Sequence, residues 1–231
     1  MKRVAFNSIL IAFIGLGVIS CKNDKNNETE AKEAQEAKEM SEGDSAMTFK
    51  LMKEDSKILW AGSKAVGVDH NGTIQLKDAK FQLENGKITG GKAVIDMTSI
   101  KSIDLEGKPE KKKKLESHLM GTAEGKETDF YNVEKYPEAT FEVTDFTEKE
   151  NQKMLSGNLT IKDKTKNISF PVEVSMGNDQ KAMKLISKPF TIDRTKWGVK
   201  FGSGSVFDDL TKDQVINDDI ELTLQLKLER S

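Results

Sequence analysis

Period two governs this chain from residue 47 onward. Ile168, Phe170, Val172, Val174 and Met176 alternate with Ser169, Pro171, Glu173 and Ser175. Ile220, Leu222, Leu224, Leu226 and Leu228 alternate with Glu221, Thr223, Gln225, Lys227 and Glu229. Ala93, Ile95 and Met97 repeat the pattern, as do Leu155, Gly157, Leu159 and Ile161. Successive side chains on a strand point to opposite faces, so such runs bury one face and wet the other. Turn signals punctuate them: Asn71-Gly72, Glu84-Asn85-Gly86, Asp163-Lys164-Thr165-Lys166 and Gly177-Asn178-Asp179. Short strands joined by tight turns predict an all-β fold of antiparallel hairpins, closed into a barrel or sandwich.

One stretch leaves this rhythm. Pro109 to Met120 predicts a helix, with Pro109 in its first turn and Gly121 as its stop. Leu115, His118 and Leu119 fall on one face, and Lys111 to Lys114 cover the other. A shorter helical turn is expected over Asp208 to Val215. Gly202-Ser203-Gly204-Ser205 reads as a flexible loop, because no strand-to-helix turn surrounds it to cradle a phosphate.

The residues before 47 follow other rules. Lys2 and Arg3 precede an apolar run from Ile9 to Ile19, broken only by Gly15 and Gly17. It is shorter than the ~20 residues that span a bilayer, which points to a leader. The run ends Val18-Ile19-Ser20-Cys21, which resembles a bacterial lipobox whose cysteine becomes the diacylated first residue of the mature chain. Residues 1–20 therefore read as a lipoprotein signal peptide and Cys21 as the lipid attachment site. From Lys22 to Ala46 there is no aromatic residue and little aliphatic bulk, so residues 21–46 read as a lipidated flexible tether. Residues 47–231 are left as the folded domain.

Composition narrows the function. Cys21 is the only cysteine, so lipidation leaves no disulfide, thiol chemistry or Cys-rich zinc site. Loss of Lys2 and Arg3 with the leader leaves 34 basic residues against 38 acidic ones. A mildly acidic body argues against nucleic acid and gives no pull onto anionic lipid. His70 and His118 are the only imidazoles, too few for a His-rich metal site. Gly43-Asp44-Ser45 resembles the nucleophile block of GDSL-type esterases, but no histidine follows His118 to activate Ser45. No nucleophile–base–acid set is complete, and no catalytic residue, metal or cofactor is assigned.

Motifs spread from about Thr48 to Glu229 resemble the YceI family of periplasmic lipid-binding proteins. They begin with Trp60-Ala61-Gly62-Ser63-Lys64 and His70-Asn71-Gly72-Thr73. Gly90-Gly91-Lys92-Ala93-Val94-Ile95-Asp96-Met97-Thr98-Ser99-Ile100 follows, then Leu115 and His118-Leu119. Asp129-Phe130-Tyr131, Tyr136-Pro137-Glu138-Ala139-Thr140-Phe141 and Gly157-Asn158-Leu159-Thr160-Ile161 come next. Phe190, Asp193-Arg194 and Trp197-Gly198 complete the series. Three departures fall on loops: a long link from Gly121 to Thr128, Asp163 in place of a glycine, and Tyr131 in place of Phe or Leu.

The resemblance implies an antiparallel, eight-stranded, lipocalin-like barrel with a helical insert. Its lumen would hold an amphiphilic polyisoprenoid, a prenyl quinone or prenyl phosphate, for sequestration, transport or storage. The candidate ligand-binding residues are Trp60, His70, Asp96, His118, Phe141, Phe190, Arg194 and Trp197. The histidines would donate hydrogen bonds to the head group. Asp96 would pair with a histidine or Arg194, or point to solvent from an amphipathic strand, and Arg194 would clamp a phosphate or form a surface or structural pair. The four aromatic residues would form lumen wall or core. Two rivals stand beside this: an enzyme using His70 or His118 as base beside Asp96, and a solidly packed scaffold lipoprotein. The expected location is the cell envelope, with acyl chains in the membrane and the domain facing the periplasm or cell surface. A ligand longer than one lumen would call for a homodimer.

Overall fold

The computed structural model describes residues 29–40, 46–67 and 69–231. The leader, Cys21 and Gly43-Asp44-Ser45 lie outside the described residues. The elements are β1 (Met47–Leu51), β2 (Lys57–Lys64), β3 (Asp69–Glu84), β4 (Lys87–Ser102), α1 (Pro109–Met120), β5 (Glu138–Lys149), β6 (Gln152–Ile161), β7 (Lys164–Met176), β8 (Ala182–Ser187), β9 (Phe190–Asp193) and β10 (Ile216–Arg230). The ring runs β10-β2-β3-β4-β5-β6-β7-β8 and closes from β8 back to β10. All pairings are antiparallel.

The ten described strands occupy eight positions around this ring. β1 and β2 lie end to end on the same neighbour, with Leu51 opposite Leu228 and Ile58 opposite Leu224. β8 and β9 do likewise, with Ile186 opposite Gln225 and Phe190 opposite Leu222. The second break falls at Lys188-Pro189, where a residue without an N–H interrupts the ladder. Bulges in β3–β4, β5–β6 and β10–β2 add the local twist that lets a sheet curl shut.

The interior has two unlike halves. At one end the hairpins turn at Asn85-Gly86, Glu150-Asn151 and the Gly177 loop. Asn85 (φ 51°) and Gly86 (φ 76°) hold the left-handed geometry that a two-residue hairpin needs. Above these turns the inward residues interlock. Phe170 stacks on Phe190, with centroids 4.3 Å apart and planes at 6°, and Phe141 lies 5.6 Å from Phe170. Gly157 makes room for this cluster, because a Cβ there would fall 2.2 Å from Phe141 Cζ. At the other end, α1 and the long loops 103–108, 121–137 and 194–215 surround an opening.

The sequence expectations are amended in three places. Asn71-Gly72 is no turn; both residues lie inside β3, where Gly72 faces Trp60 across the pair. Residues 208–215 form turns rather than a helix. Thr29 to Met40, read from composition as flexible tether, lies as an extended strap along the barrel wall. Because β7 pairs with β8 only from Val172 onward, a seam opens between the first half of β7 and β9. The strap enters this seam. Thr29 N donates to Thr191 O (2.8 Å), and Lys32 exchanges backbone hydrogen bonds with Asn167 (2.8 and 2.9 Å). It then crosses Asn158, whose side chain pairs with both backbone groups of Gln35 (3.0 and 2.6 Å). It ends where β4 and β5 diverge, with Lys38 N donating to Val143 O (2.8 Å).

Candidate functional site

The open half of the barrel encloses a cavity of about 560 Å³. Its wall is built from inward positions of four strands: Trp60 and Gly62 on β2, Ile74 on β3, Ile100 on β4, and Ile220 and Leu222 on β10. α1 closes one side. The helix buries no residue fully, but Leu115, His118 and Leu119 face the cavity as their spacing predicts. Glu116 Oε1 accepts from Ser102 N (2.8 Å) and ties the helix to the end of β4. Gly121 (φ 72°) ends it, and its N–H returns to His118 O. Phe130, Tyr131 and Phe201 complete the mouth. The lining is predominantly aliphatic and aromatic with few polar atoms, the usual character of a small-ligand site.

Both histidines stand at this mouth, each held by a carboxylate. His118 Nε2 lies 2.7 Å from Asp129 Oδ2, and its ring meets Phe130 and Phe201 edge-on, with each centroid 5.0 Å away. His70 Nδ1 lies 2.8 Å from Asp104 Oδ2. Burial pushes the Asp104 carboxyl up. Hydrogen bonds from His70, Asn71 N and Ser102 Oγ outweigh it and hold the group below the usual carboxylate range. Among the described residues no serine or threonine hydroxyl bonds to either imidazole. Among the described residues each histidine therefore has an orienting carboxylate and no hydroxyl nucleophile bonded to it.

Of the eight candidate residues, the structure brings Trp60, His70, His118 and Arg194 to the cavity wall. Arg194 is buried and already engaged. Its Nε, Nη1 and Nη2 donate to the carbonyls of Asn217 (3.2 Å), Val199 (2.8 Å) and Ile216 (3.0 Å). It fixes the start of β10 and has little left to clamp a phosphate. Asp96 lies elsewhere and accepts from Thr98 N (3.1 Å) and Thr98 Oγ1 (2.5 Å), with no histidine or arginine partner. Phe141 and Phe190 belong to the packed half, and Trp197 is buried with Nε1 donating to Leu159 O (2.9 Å). These four do not reach the cavity.

Two of the residues that line the cavity carry buried polar groups. Trp60 Nε1 is buried and has no hydrogen-bond partner. The indole packs where Gly72 lacks a side chain, since a Cβ at Gly72 would sit 2.8 Å from Trp60 Cε2 and 1.8 Å from Lys101 O. A buried donor without an acceptor costs about 1–3 kcal/mol. Tyr131 is the second. Burial pushes its phenol up to about 12, against the opposing charge of Arg194, so it stays protonated and able to donate. Period two alone could not find these residues. It shows which face of a strand is inside, but not which end of the inside is hollow.

A closed antiparallel barrel, packed at one end and hollow at the other under a helical flap, is the class that fold and site define. A family model for the YceI-like domain matches residues 49–228, and the chain belongs to that family. Among solved structures it is similar to BcnA of Burkholderia cenocepacia, at 21% identity over 77% of this chain and 98% of that one, with a TM-score of 0.59. It is also similar to a polyisoprenoid binding domain from Saccharophagus degradans implicated in plant cell wall breakdown. There the identity is 16% over 79% of this chain and 98% of that one, with a TM-score of 0.52. At these identities the likeness is one of fold. No curated protein matches the sequence.

Proposed function

We propose that this protein binds the chain of an amphiphilic isoprenoid in the hollow half of the barrel, for sequestration, transport or storage. The observation that carries this is the apolar cavity of about 560 Å³ in the hollow half of the barrel. Burying an isoprene chain against such a wall gains roughly 25 cal/mol for each Å² taken from water. The polyisoprenoid-binding neighbour of the same fold supports the ligand class.

The wall favours a neutral head group over an anionic one. Arg194 is engaged by three carbonyls, and Lys64 Nζ donates to Asp213 O (3.0 Å). Tyr131 is a neutral donor on the wall, suited to a quinone carbonyl. A prenyl quinone is therefore preferred to a prenyl phosphate. An enzymatic role on the bound lipid finds less support, since Asp96 bonds to Thr98 and, among the described residues, to neither histidine.

We place the protein in the cell envelope, anchored through acyl chains on Cys21. With Cys21 lipidated and at most ~3.6 Å per residue, the eight-residue interval keeps Thr29, where the strap begins, within about 30 Å of the membrane. The test is mass spectrometry of lipid extracted from the purified protein. An isoprenoid quinone mass in near-stoichiometric amount is expected. Extracts holding only bulk phospholipid, or none, overturn the proposal.

A further inference from the structure

A second recess, of about 330 Å³, lies at the same end of the barrel. The segment from Thr128 to Asn132 runs between it and the cavity: Thr128 and Asn132 face the recess, while Phe130 and Tyr131 face the cavity. Its character is the opposite of the cavity's. Lys135, Lys162, Lys164 and Lys200 line it, with Asp163 as the single carboxylate. Among the described residues the ion pairs formed by lysines all involve other lysines, so these four ammonium groups stand together without a close carboxylate partner.

The lysines are positioned, not merely nearby. Lys162 sits in the β6–β7 turn with φ 57°, and its Nζ donates to Phe130 O (3.2 Å). That carbonyl draws the side chain inward over the Tyr136 ring, 6.0 Å from its centroid, where Lys135 Nζ also lies at 5.1 Å. Lys164 lies along Gly198 (φ 77°), where a Cβ would stand 3.2 Å from its Nζ. Burial lowers the pKa of Lys162, and the charges of Lys164 and Lys135 lower it further, against the pull of Asp163. The recess is thus short of negative charge, and Asn132 and Thr128 add neutral donors at its edge.

We propose that this recess is an anion site for a phosphate-type group, either free phosphate or diphosphate or the phosphate of a lipid head. Point charges from lysine suit a phosphate, whose oxygens accept charge-assisted hydrogen bonds from several directions. The site stands apart from the isoprenoid cavity, so either can fail without the other. Phe130 joins them physically, with its carbonyl on Lys162 and its ring against His118.

The experiment is titration of the full chain at near-neutral pH and low salt, in two arms. The first follows inorganic phosphate, then diphosphate, by calorimetry and ³¹P NMR, with chloride at matched ionic strength as the reference. The second follows binding to phosphatidylcholine vesicles with and without phosphatidic acid. Saturable binding is expected in at least one arm. Free-anion binding assigns a soluble source, and vesicle binding that requires phosphatidic acid assigns a lipid head. The Lys162→Gln/Lys164→Gln variant is expected to weaken it by about tenfold or more while still unfolding in one cooperative transition. Lys200→Gln, at an exposed position, gives a second variant that does not touch the β6–β7 turn and is expected to weaken binding as well. No saturable binding in either arm up to about 10 mM phosphate, or equal affinity in all three proteins, overturns the proposal.

Discussion

The two halves of the barrel use the same strand alternation and reach opposite ends. In the packed half, large rings face one another and a missing side chain: Phe170 on Phe190, Phe141 over Gly157. In the hollow half, the inward positions are Trp60, Gly62, Ile74 and Leu222, and the facing positions do not meet. Gly62 shows the difference most simply, because a Cβ added there meets nothing within 4 Å, whereas at Gly157 it collides with a ring. A barrel of eight positions is just wide enough for side chains to fill it or to leave room for one ligand. Here one molecule does both, and residue size at matching positions decides which.

This contrast is open to attack by substitution. Phe170→Ala removes a ring buried against two others and is expected to lower unfolding free energy by about 3–5 kcal/mol in denaturant titration. Leu222→Ala, on the cavity wall, is expected to cost less than ~2 kcal/mol, since its loss enlarges an existing space. Equal costs would mean the two halves are packed alike. Gly157→Ala forces a methyl into Phe141 and is expected to cost about 1–3 kcal/mol.

The strap sharpens the contrast from outside. Asn158 holds both backbone groups of Gln35, and its Oδ1 also accepts from Asn167 Nδ2 (3.1 Å), which reaches Thr144 Oγ1 as well (2.9 Å). Asn158→Ala leaves buried partners unmatched and is expected to destabilise by about 1–3 kcal/mol. It is also expected to speed hydrogen exchange at Lys32 and Lys38. Unchanged exchange would show that the strap is held by its backbone contacts alone.

The smallest effect concerns acid. The hydrogen bond from Lys38 Nζ, outweighing burial, holds the Asp145 carboxyl below its ordinary value of 3.8. A depressed folded pKa means the contribution is fully present above that value and is lost as pH falls through the lower folded one. Both groups are near half exposed, so solvent screens the pair and the effect is small. Protection of the Lys38 amide, relative to its intrinsic exchange rate at each pH, is expected to fall at the acid end of this window in the wild type and not in Lys38→Met. The same pH response in both proteins would remove Asp145 from the account.

What could be read beforehand follows the range of each interaction. β6, β7 and β10 are legible because alternation is local, and α1 because Pro109, Gly121 and the Leu115-His118-Leu119 spacing are local too. The barrel and its family are legible because motifs recur in order along the body. The strap is not, because Gln35 meets Asn158 across 123 positions and a polar segment carries no mark of the amide that will receive it. Asn71-Gly72 looks like a turn but serves in a strand, since Gly72 is where the Trp60 ring needs space. Nothing local marks Asp104 or Asp129 as the partner of a histidine, and Asp96, in a stronger motif, accepts from Thr98. Trp197 and Phe190 read as lining or core alike, because only the third dimension separates the hollow end from the packed one.

The central claim is that the space beside Gly62 holds a prenyl chain. Native mass spectrometry of the full chain and of Gly62→Phe, purified alike from bacterial cells, tests it most directly. The substitution points a ring into the cavity from a position with no neighbour within 4 Å. The wild type is expected to carry one isoprenoid-mass adduct per barrel, and Gly62→Phe is expected to fold with an unchanged or higher melting temperature and no adduct. A folded Gly62→Phe that keeps the adduct, or a wild type that never carries one, contradicts the account.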